Sequence, residues 1–197
     1  MAAVSETITR EYFELNGFLV RQHRKHIPRT RTGEDDIDFF VFNPQAETRE
    51  GVPPFVLETR DLRFIERAIV VVKGWHTETF GSGLLAATPK IFRFVEPKVF
   101  LRAARAFGQD GMPLKVLVVP ALPQSQEARD QSVALLRSKG VDAVILFRSI
   151  LANLIERTEV NRNYQQSDLL QVIRIFKNYD FFKEPQLELF KTRARRR

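Results

Sequence analysis

Ala-Ile-Val-Val-Val-Lys, at residues 68 to 73, is the strongest strand pattern in the chain, because β-branched residues crowd it. Further apolar runs at 115 to 120 and 141 to 147 predict two more strands. Helical patterns at 97 to 107 and 125 to 139 separate these three segments. Strands that alternate with helices in this way imply parallel pairing through right-handed crossovers.

Upstream of this region the pattern begins with a helix and continues with strands. Apolar residues at helical spacing predict a helix from Ser5 to Asn16, with Ser5 as its N-cap. The other predicted elements are strands at 18 to 26 and 36 to 43, a strand or hairpin at 55 to 64, a loop at 77 to 89, and helices at 149 to 158 and 167 to 178. The sequence therefore predicts an α/β fold in which helices flank a mixed sheet.

The composition is that of a globular protein and excludes several kinds of site. Of 197 residues, 44% are hydrophobic and 28% are charged. The absence of cysteine excludes disulfides, thiolate metal sites and a cysteine nucleophile. The apolar runs are too short to cross a bilayer, and the first residues lack the pattern of a secretory signal. We therefore expect an intracellular, cytoplasmic protein without a membrane partner, with one domain over 1–182 and a basic tail over 183–197.

Positive charge is concentrated in two segments of the chain. The formal net charge is +7, and the tail from Lys191 to Arg197 holds five basic residues and no acid. A second basic run lies between Asn16 and Gly33, again without an acidic residue. Localised positive charge suggests an anionic polymer or surface as partner, while the alternative is a solvated tail and a solvated loop. The basic residues that we assign to nucleic-acid contact are Arg21, Arg24, Lys25, Arg29, Arg31, Lys191, Arg193 and Arg195.

Strand periodicity predicts that a carboxylate and an ammonium lie together. Asp38 shares a strand face with Phe40 and Phe42, and Lys73 shares a face with Val71. An ionised carboxylate at the edge of an apolar core is costly unless it is paired or bound to a cation. We therefore expect Asp38 and Lys73 side by side on adjacent strands, either as part of a catalytic site or as a structural ion pair.

The order of elements and three short phrases resemble the PD-(D/E)XK nuclease superfamily, also called restriction-endonuclease-like. The phrases are Glu-Tyr-Phe-Glu-Leu-Asn-Gly-Phe-Leu-Val at 11 to 20, Asp-Ile-Asp at 36 to 38 and Val-Val-Lys-Gly-Trp-His at 71 to 76. The resemblance implies a restriction-endonuclease-like fold and a DNA-binding hydrolase. Its catalytic residues would be Glu11, Asp38 and Lys73. Glu11 and Asp38 would bind Mg²⁺ or Mn²⁺ for phosphodiester cleavage.

One position departs from the family pattern. The acid expected two residues before Lys73 is replaced by Val71. Metal-assisted phosphoryl transfer needs hard oxygen ligands, and valine supplies none. An acid relocated to Glu14, Glu58 or Glu78 is one solution. The other is a catalytically inactive nuclease-like module that serves a larger complex, and a homodimer is a further form that such a module can take.

The Trp75-His76 pair after the strand is the last candidate site. An aromatic ring at this place can stack on a nucleic-acid base. Such stacking does not depend on the sequence, because every base has a flat π-face. The alternative is that Trp75 covers the end of the sheet. For Glu11 the corresponding alternative is a solvated residue on the surface of its helix.

Overall fold

A computed structural model describes residues 2–22, 37–48, 51–108 and 112–182 of the chain. The helices are α1 (Ala2–Leu15), α2 (Ser82–Ala87), α3 (Pro97–Ala104), α4 (Gln126–Ser138), α5 (Phe147–Arg157) and α6 (Asp168–Asn178). The strands are β1 (Leu19–Gln22), β2 (Phe39–Phe42), β3 (Val56–Leu57), β4 (Arg67–Val72), β5 (Leu114–Val119) and β6 (Ala143–Leu146). The 3₁₀ helices are Thr59–Phe64, Pro89–Val95 and Arg105–Phe107. The chain divides into two compact units, Met1–Leu154 and Ile155–Arg197.

The strands of the described residues form a six-stranded mixed sheet in the order β1-β2-β4-β5-β6-β3. β1, β2 and β4 are antiparallel neighbours, whereas β4, β5, β6 and β3 pair in parallel. The parallel connections pass through α2 and α3 and then through α4, as the alternating pattern predicts. The predicted α/β fold with a mixed sheet flanked by helices is therefore confirmed.

Both faces of the central strands are buried, which explains why their sequences are continuous apolar runs. On one face, Phe40, Ile69, Val71 and Leu117 belong to an apolar core that also contains Phe94. The alternate side chains in the middle of β4 and β5 are also buried on the opposite face. Because both faces are apolar, the register of these strands depends on how particular side chains pack rather than on an alternation of apolar and polar residues.

Two segments differ from the sequence-based predictions. The predicted loop at 77 to 89 contains α2, because Leu85 is fully buried there and the glycines that suggested a loop lie at the helix start. The predicted strand or hairpin at 55 to 64 shortens to β3 and a 3₁₀ helix. In that helix the Asp61 carboxylate accepts the backbone N–H of Glu58 at 2.9 Å, which favours a helical turn over an extended chain.

Helix α1 also differs in its buried face. The exposed fraction of Val4 is 65%, and Ser5, which was predicted as the N-cap, lies inside the helix. The buried face carries Ser5, Thr9 and Tyr12. Burial raises the pKa of Tyr12 to about 12, and a hydrogen bond to Thr59 partly opposes that rise. Polar residues with hydrogen-bond partners therefore replace part of the expected apolar stripe.

The second unit contains the end of α5 and the whole of α6. The Ser167 hydroxyl accepts the N–H of Leu170 and so caps the start of α6. The Lys177 ammonium donates to the carbonyls of Ile155 and Thr158, at 2.9 and 2.7 Å, near the end of α5. A cation is favourable at a helix C-terminus, so Lys177 stabilises this connection. No helix among the described residues is long and apolar enough to span a membrane.

Candidate functional site

Asp38 and Lys73 lie at the same end of two adjacent antiparallel strands. Asp38 immediately precedes β2, and Lys73 immediately follows β4. The pairing of Phe39 with Val70 places Asp38 opposite Val71 when the register is extended by one residue. Because side chains alternate along a strand, Lys73 belongs to the same face as Val71 and hence to that of Asp38. The carboxylate and the ammonium are thus assigned to one end and one face of the sheet.

The carboxylate of Asp38 bonds to the backbone of β4. Its Oδ2 accepts the N–H of Val72 at 2.6 Å, and the Asp38 N–H donates to the Val70 carbonyl at 3.1 Å. Asp38 is half-buried, so this side chain satisfies a backbone donor where the regular ladder ends. The Asp38 carboxylate therefore has a structural role whether or not it also binds a cation.

Lys73 is half-buried and continues the pairing of β4 with β5, because its N–H donates to the Val118 carbonyl at 2.9 Å. The structure describes both Asp38 and Lys73, and no ion pair joins the Lys73 ammonium to the Asp38 carboxylate. The structural ion pair offered as one alternative is therefore not formed. Val71 between them has no exposed surface and packs in the apolar core.

Glu11 is buried rather than solvated, with 8% of its surface exposed. Its Oε1 lies 3.7 Å from the Arg10 guanidinium. The residue of α1 that reaches the end of β4 is instead Ser5, which lies six residues earlier, about 9 Å along the helix axis. The Ser5 side chain bonds to His76, three residues beyond Lys73, whereas Glu11 bonds to its own helix neighbour.

The Ser5–His76 pair was not predicted from the sequence. The Ser5 hydroxyl and the His76 Nε2 are 2.9 Å apart, and the His76 ring meets the Phe147 ring edge-on at 4.5 Å between centroids. Ser5 is 1% exposed, whereas His76 is exposed. A signal for this pair exists in the polar residues Ser5, Thr9, Tyr12 and Asn16, whose spacing of four, three and four marks one side of a helix.

Trp75 covers the buried core at the end of the sheet. Its indole stacks on the fully buried Phe80 ring, with centroids 5.7 Å apart and planes 26° from parallel. The exposed fraction of Trp75 is 39%, so part of the ring remains open to solvent. The covering role is therefore seen directly, and base stacking on the open part stays a prediction.

The three acids considered as replacements for Val71 lie in different surroundings. Glu58 follows β3, and three strand spacings, roughly 14 Å, separate β3 from β4. It is paired with Arg60 at 2.9 Å. Burial raises the pKa of Glu14. The positive charge of Arg10 opposes this rise, and the negative charge of Glu11 adds to it. Glu78 lies in the exposed turn after Trp75, where its N–H donates to the Trp75 carbonyl at 2.9 Å.

The donor set offers little support for the implied metal. Within residues 2–22, 37–48, 51–108 and 112–182, no group of three or more His, Asp or Glu side chains is placed to hold an ion. Asp38 would supply a carboxylate with one oxygen already bonded to a backbone N–H. Mg²⁺ needs hard oxygen ligands in near-octahedral geometry, and these residues do not provide that set.

Of the basic residues assigned to nucleic-acid contact, Arg21 is described and lies exposed on β1. The others lie outside the described residues: Arg24, Lys25, Arg29, Arg31, Lys191, Arg193 and Arg195.

No protein-family model, curated protein or solved structure matches this chain.

Gly74 is required where α1 crosses the end of β4. A Cβ atom added to Gly74 would lie 2.4 Å from the Ser5 Oγ and 3.0 Å from the Ser5 Cβ. We expect Gly74→Ala to lower the free energy of unfolding by about 1–2 kcal/mol, because overpacking displaces α1. Gly83→Ala is the matched control, since no atom lies within 4 Å of its added Cβ and alanine favours the helix interior. Chemical denaturation measures both, and equal stability of the two variants would contradict the close contact.

Proposed function

We propose that this chain is a nucleic-acid-binding protein built on a restriction-endonuclease-like scaffold of the PD-(D/E)XK type, and that it binds nucleic acid without cleaving it. The partner is DNA, contacted by the basic segments of the sequence. A cytoplasmic location, and assembly as a homodimer or within a larger complex, belong to the same proposal.

The proposed scaffold is supported by the arrangement of helices and strands around β2 and β4. Apart from β3, which lies between β2 and β4 in the chain and pairs at the far edge of the sheet, the order is a first helix, three antiparallel strands (β1, β2 and β4), a helical crossover and a parallel strand, β5. This is the order on which the family resemblance rests. Asp38 and Lys73 fall at the strand ends where the resemblance assigns an aspartate and a lysine.

Two contacts favour binding without cleavage. Val71 occupies the position of the missing acid and has no exposed surface, so water and metal do not reach it. The carboxylate of Asp38 is bonded to the N–H of Val72. Phosphodiester hydrolysis on Mg²⁺ requires converging carboxylates, and within the described part of β2 and β4 no second carboxylate lies on the face of Asp38.

An active divalent-metal-dependent endonuclease is the second candidate. It is favoured by the register, which assigns Asp38 and Lys73 to one face of the sheet without an ion pair between them. An ammonium that is not neutralised by a neighbouring carboxylate can stabilise a phosphate. In this candidate Mg²⁺ or Mn²⁺ would bind at Asp38, with a second acid that β4 itself does not supply.

Duplex DNA tests both candidates. We expect wild-type protein to bind duplex DNA with an affinity that falls steeply with salt, at a log–log slope of roughly −0.9 per phosphate neutralised. Deletion of 191–197 should weaken binding and flatten the slope. Absence of binding at low salt would overturn the proposal, and binding without salt dependence would contradict the role of the basic segments.

Cleavage in Mg²⁺ or Mn²⁺ then separates the two candidates. We expect none from wild-type protein. Lys90 is an exposed lysine elsewhere in the chain, so Lys90→Ala is the control. If cleavage occurs, is lost in Lys73→Ala and is retained in Lys90→Ala, the protein is an active nuclease. Cleavage that survives both substitutions would move the active site away from β4.

A further inference from the structure

We propose that a groove on the outer part of the sheet, distinct from the end of β4, binds a nucleotide. The groove has a volume of about 430 Å³, which is within the range of small-ligand sites. Its floor is formed by Phe40 and Phe42 of β2, and Phe107 contributes to its wall. The inference goes beyond the proposed function, because binding of a nucleotide does not require binding of a duplex.

The register explains why the groove has an aromatic floor between two cations. Arg21 lies opposite Phe40, and Arg67 lies opposite Phe42, so all four share one face of the sheet. β1 and β4 lie on either side of β2, and the two arginine positions are also offset by two residues along it, so they are roughly 12 Å apart. A ligand in the groove therefore meets a flat apolar surface in the middle and a positive charge at each side.

The two arginines differ in what already satisfies them. Arg67 has 12% of its side chain exposed, pairs with Glu66 through one terminal nitrogen and lies 5.8 Å above the Phe42 ring. Its Nε is buried and has no hydrogen-bond partner, which is a costly state for a charged donor. Arg21 is exposed, and no ion pair or side-chain hydrogen bond is found for it with the described residues.

These features together select a phosphorylated nucleoside. The Glu66 carboxylate cancels one of the two positive charges, so the groove retains a net charge of about one, located at Arg21. A phosphate at Arg21 uses that charge in a charge-assisted hydrogen bond. A base over Phe42 stacks on the ring, beside the part-exposed Arg67 guanidinium. Guanine suits this side because arginine donates to its O6 and N7.

Calorimetric titration with guanosine 5′-monophosphate tests the assignment. We expect saturable binding to wild-type protein, at least tenfold weaker binding of guanosine, and at least tenfold weaker binding of the nucleotide to Arg21→Gln. Arg148→Gln removes the same charge from an exposed position on α5 and should leave binding unchanged. Phe42→Leu should weaken nucleotide binding while the melting temperature reports that the fold persists.

Two further arms identify the source of the nucleotide. If the ligand is the end of a strand, a 5′-phosphorylated oligonucleotide that begins with guanosine binds more tightly than the mononucleotide, and Arg21→Gln removes the advantage. If the ligand is free, the mononucleotide binds more tightly than the oligonucleotide.

The proposal is overturned if neither binds at millimolar concentration or if Arg21→Gln binds as well as wild type. Decanoate, an aliphatic carboxylate without a base, is the competitor. The proposal is likewise overturned if decanoate displaces the nucleotide and its own tight binding depends on Arg21, because the groove would then recognise an apolar anion and not a base. Failure of duplex binding alone leaves this inference standing.

Discussion

Replacing Val71 with glutamate is expected to lower the free energy of unfolding by more than about 3 kcal/mol at pH 7. Val71 has no exposed surface and lies in the apolar core with Ile69 and Leu117. The new carboxylate would also lie opposite Asp38, where directly opposed like charges repel. Burial raises the pKa of the new glutamate above its unfolded value, so the loss is smaller below about pH 4, where the carboxyl is protonated in both states.

Divalent metal should restore part of that stability. Two carboxylates on neighbouring strands, about 5 Å apart at Cβ, make a ligand pair that wild-type protein lacks. Mg²⁺ or Mn²⁺ that binds only the folded state raises the melting temperature of Val71→Glu by mass action. Val71→Gln has the same shape without the charge and should show no metal effect. Val72→Glu places a carboxylate on the opposite face and is the second control.

Equal stabilisation of Val71→Glu and Val71→Gln by metal would contradict the assignment of Asp38 and residue 71 to one face. A stability of Val71→Glu equal to that of wild type would contradict the burial of this position. Both outcomes are read from the same thermal melts, with and without divalent ion, so the experiment tests the geometry separately from any catalytic activity.

The sequence predicted the central strands because their chemistry is local. Val71 and its neighbours are β-branched and continuous, so strand propensity and burial agree. The helix α2 was missed because Gly81, Gly83 and Pro89 are loop-forming residues, while the burial of Leu85 that stabilises the helix is a tertiary effect. Local pattern alone does not contain that information.

The candidate site was predictable in part for the same reason. Strand periodicity assigned Asp38 and Lys73 to one face from their positions alone. The bond from the Val72 N–H to Asp38 depends on register between strands that are far apart in sequence. The contact of Ser5 with His76 depends on where α1 crosses the sheet, which periodicity within α1 does not determine.

Asp38→Ala is expected to lower the free energy of unfolding by about 2 kcal/mol. The substitution removes the acceptor of the Val72 N–H, which lies 2.6 Å from the carboxylate in a part-buried position. A donor left without a partner costs about 1–3 kcal/mol. Asp38→Asn retains an oxygen acceptor of the same shape and should lose less than about 1 kcal/mol. Urea denaturation of the three proteins gives the comparison directly.

The asparagine variant separates the structural role of Asp38 from a role as a metal ligand. If the carboxylate only supports the end of β4, Asp38→Asn keeps both the stability and the salt-dependent DNA affinity of wild type, and divalent ion affects the two proteins equally. If Asp38 binds metal, Mg²⁺ raises the melting temperature of wild type and not that of Asp38→Asn, because a neutral amide is a weaker ligand for a hard cation. Asp38→Asn as unstable as Asp38→Ala would contradict the hydrogen bond itself, since an amide oxygen can accept the Val72 N–H as a carboxylate does.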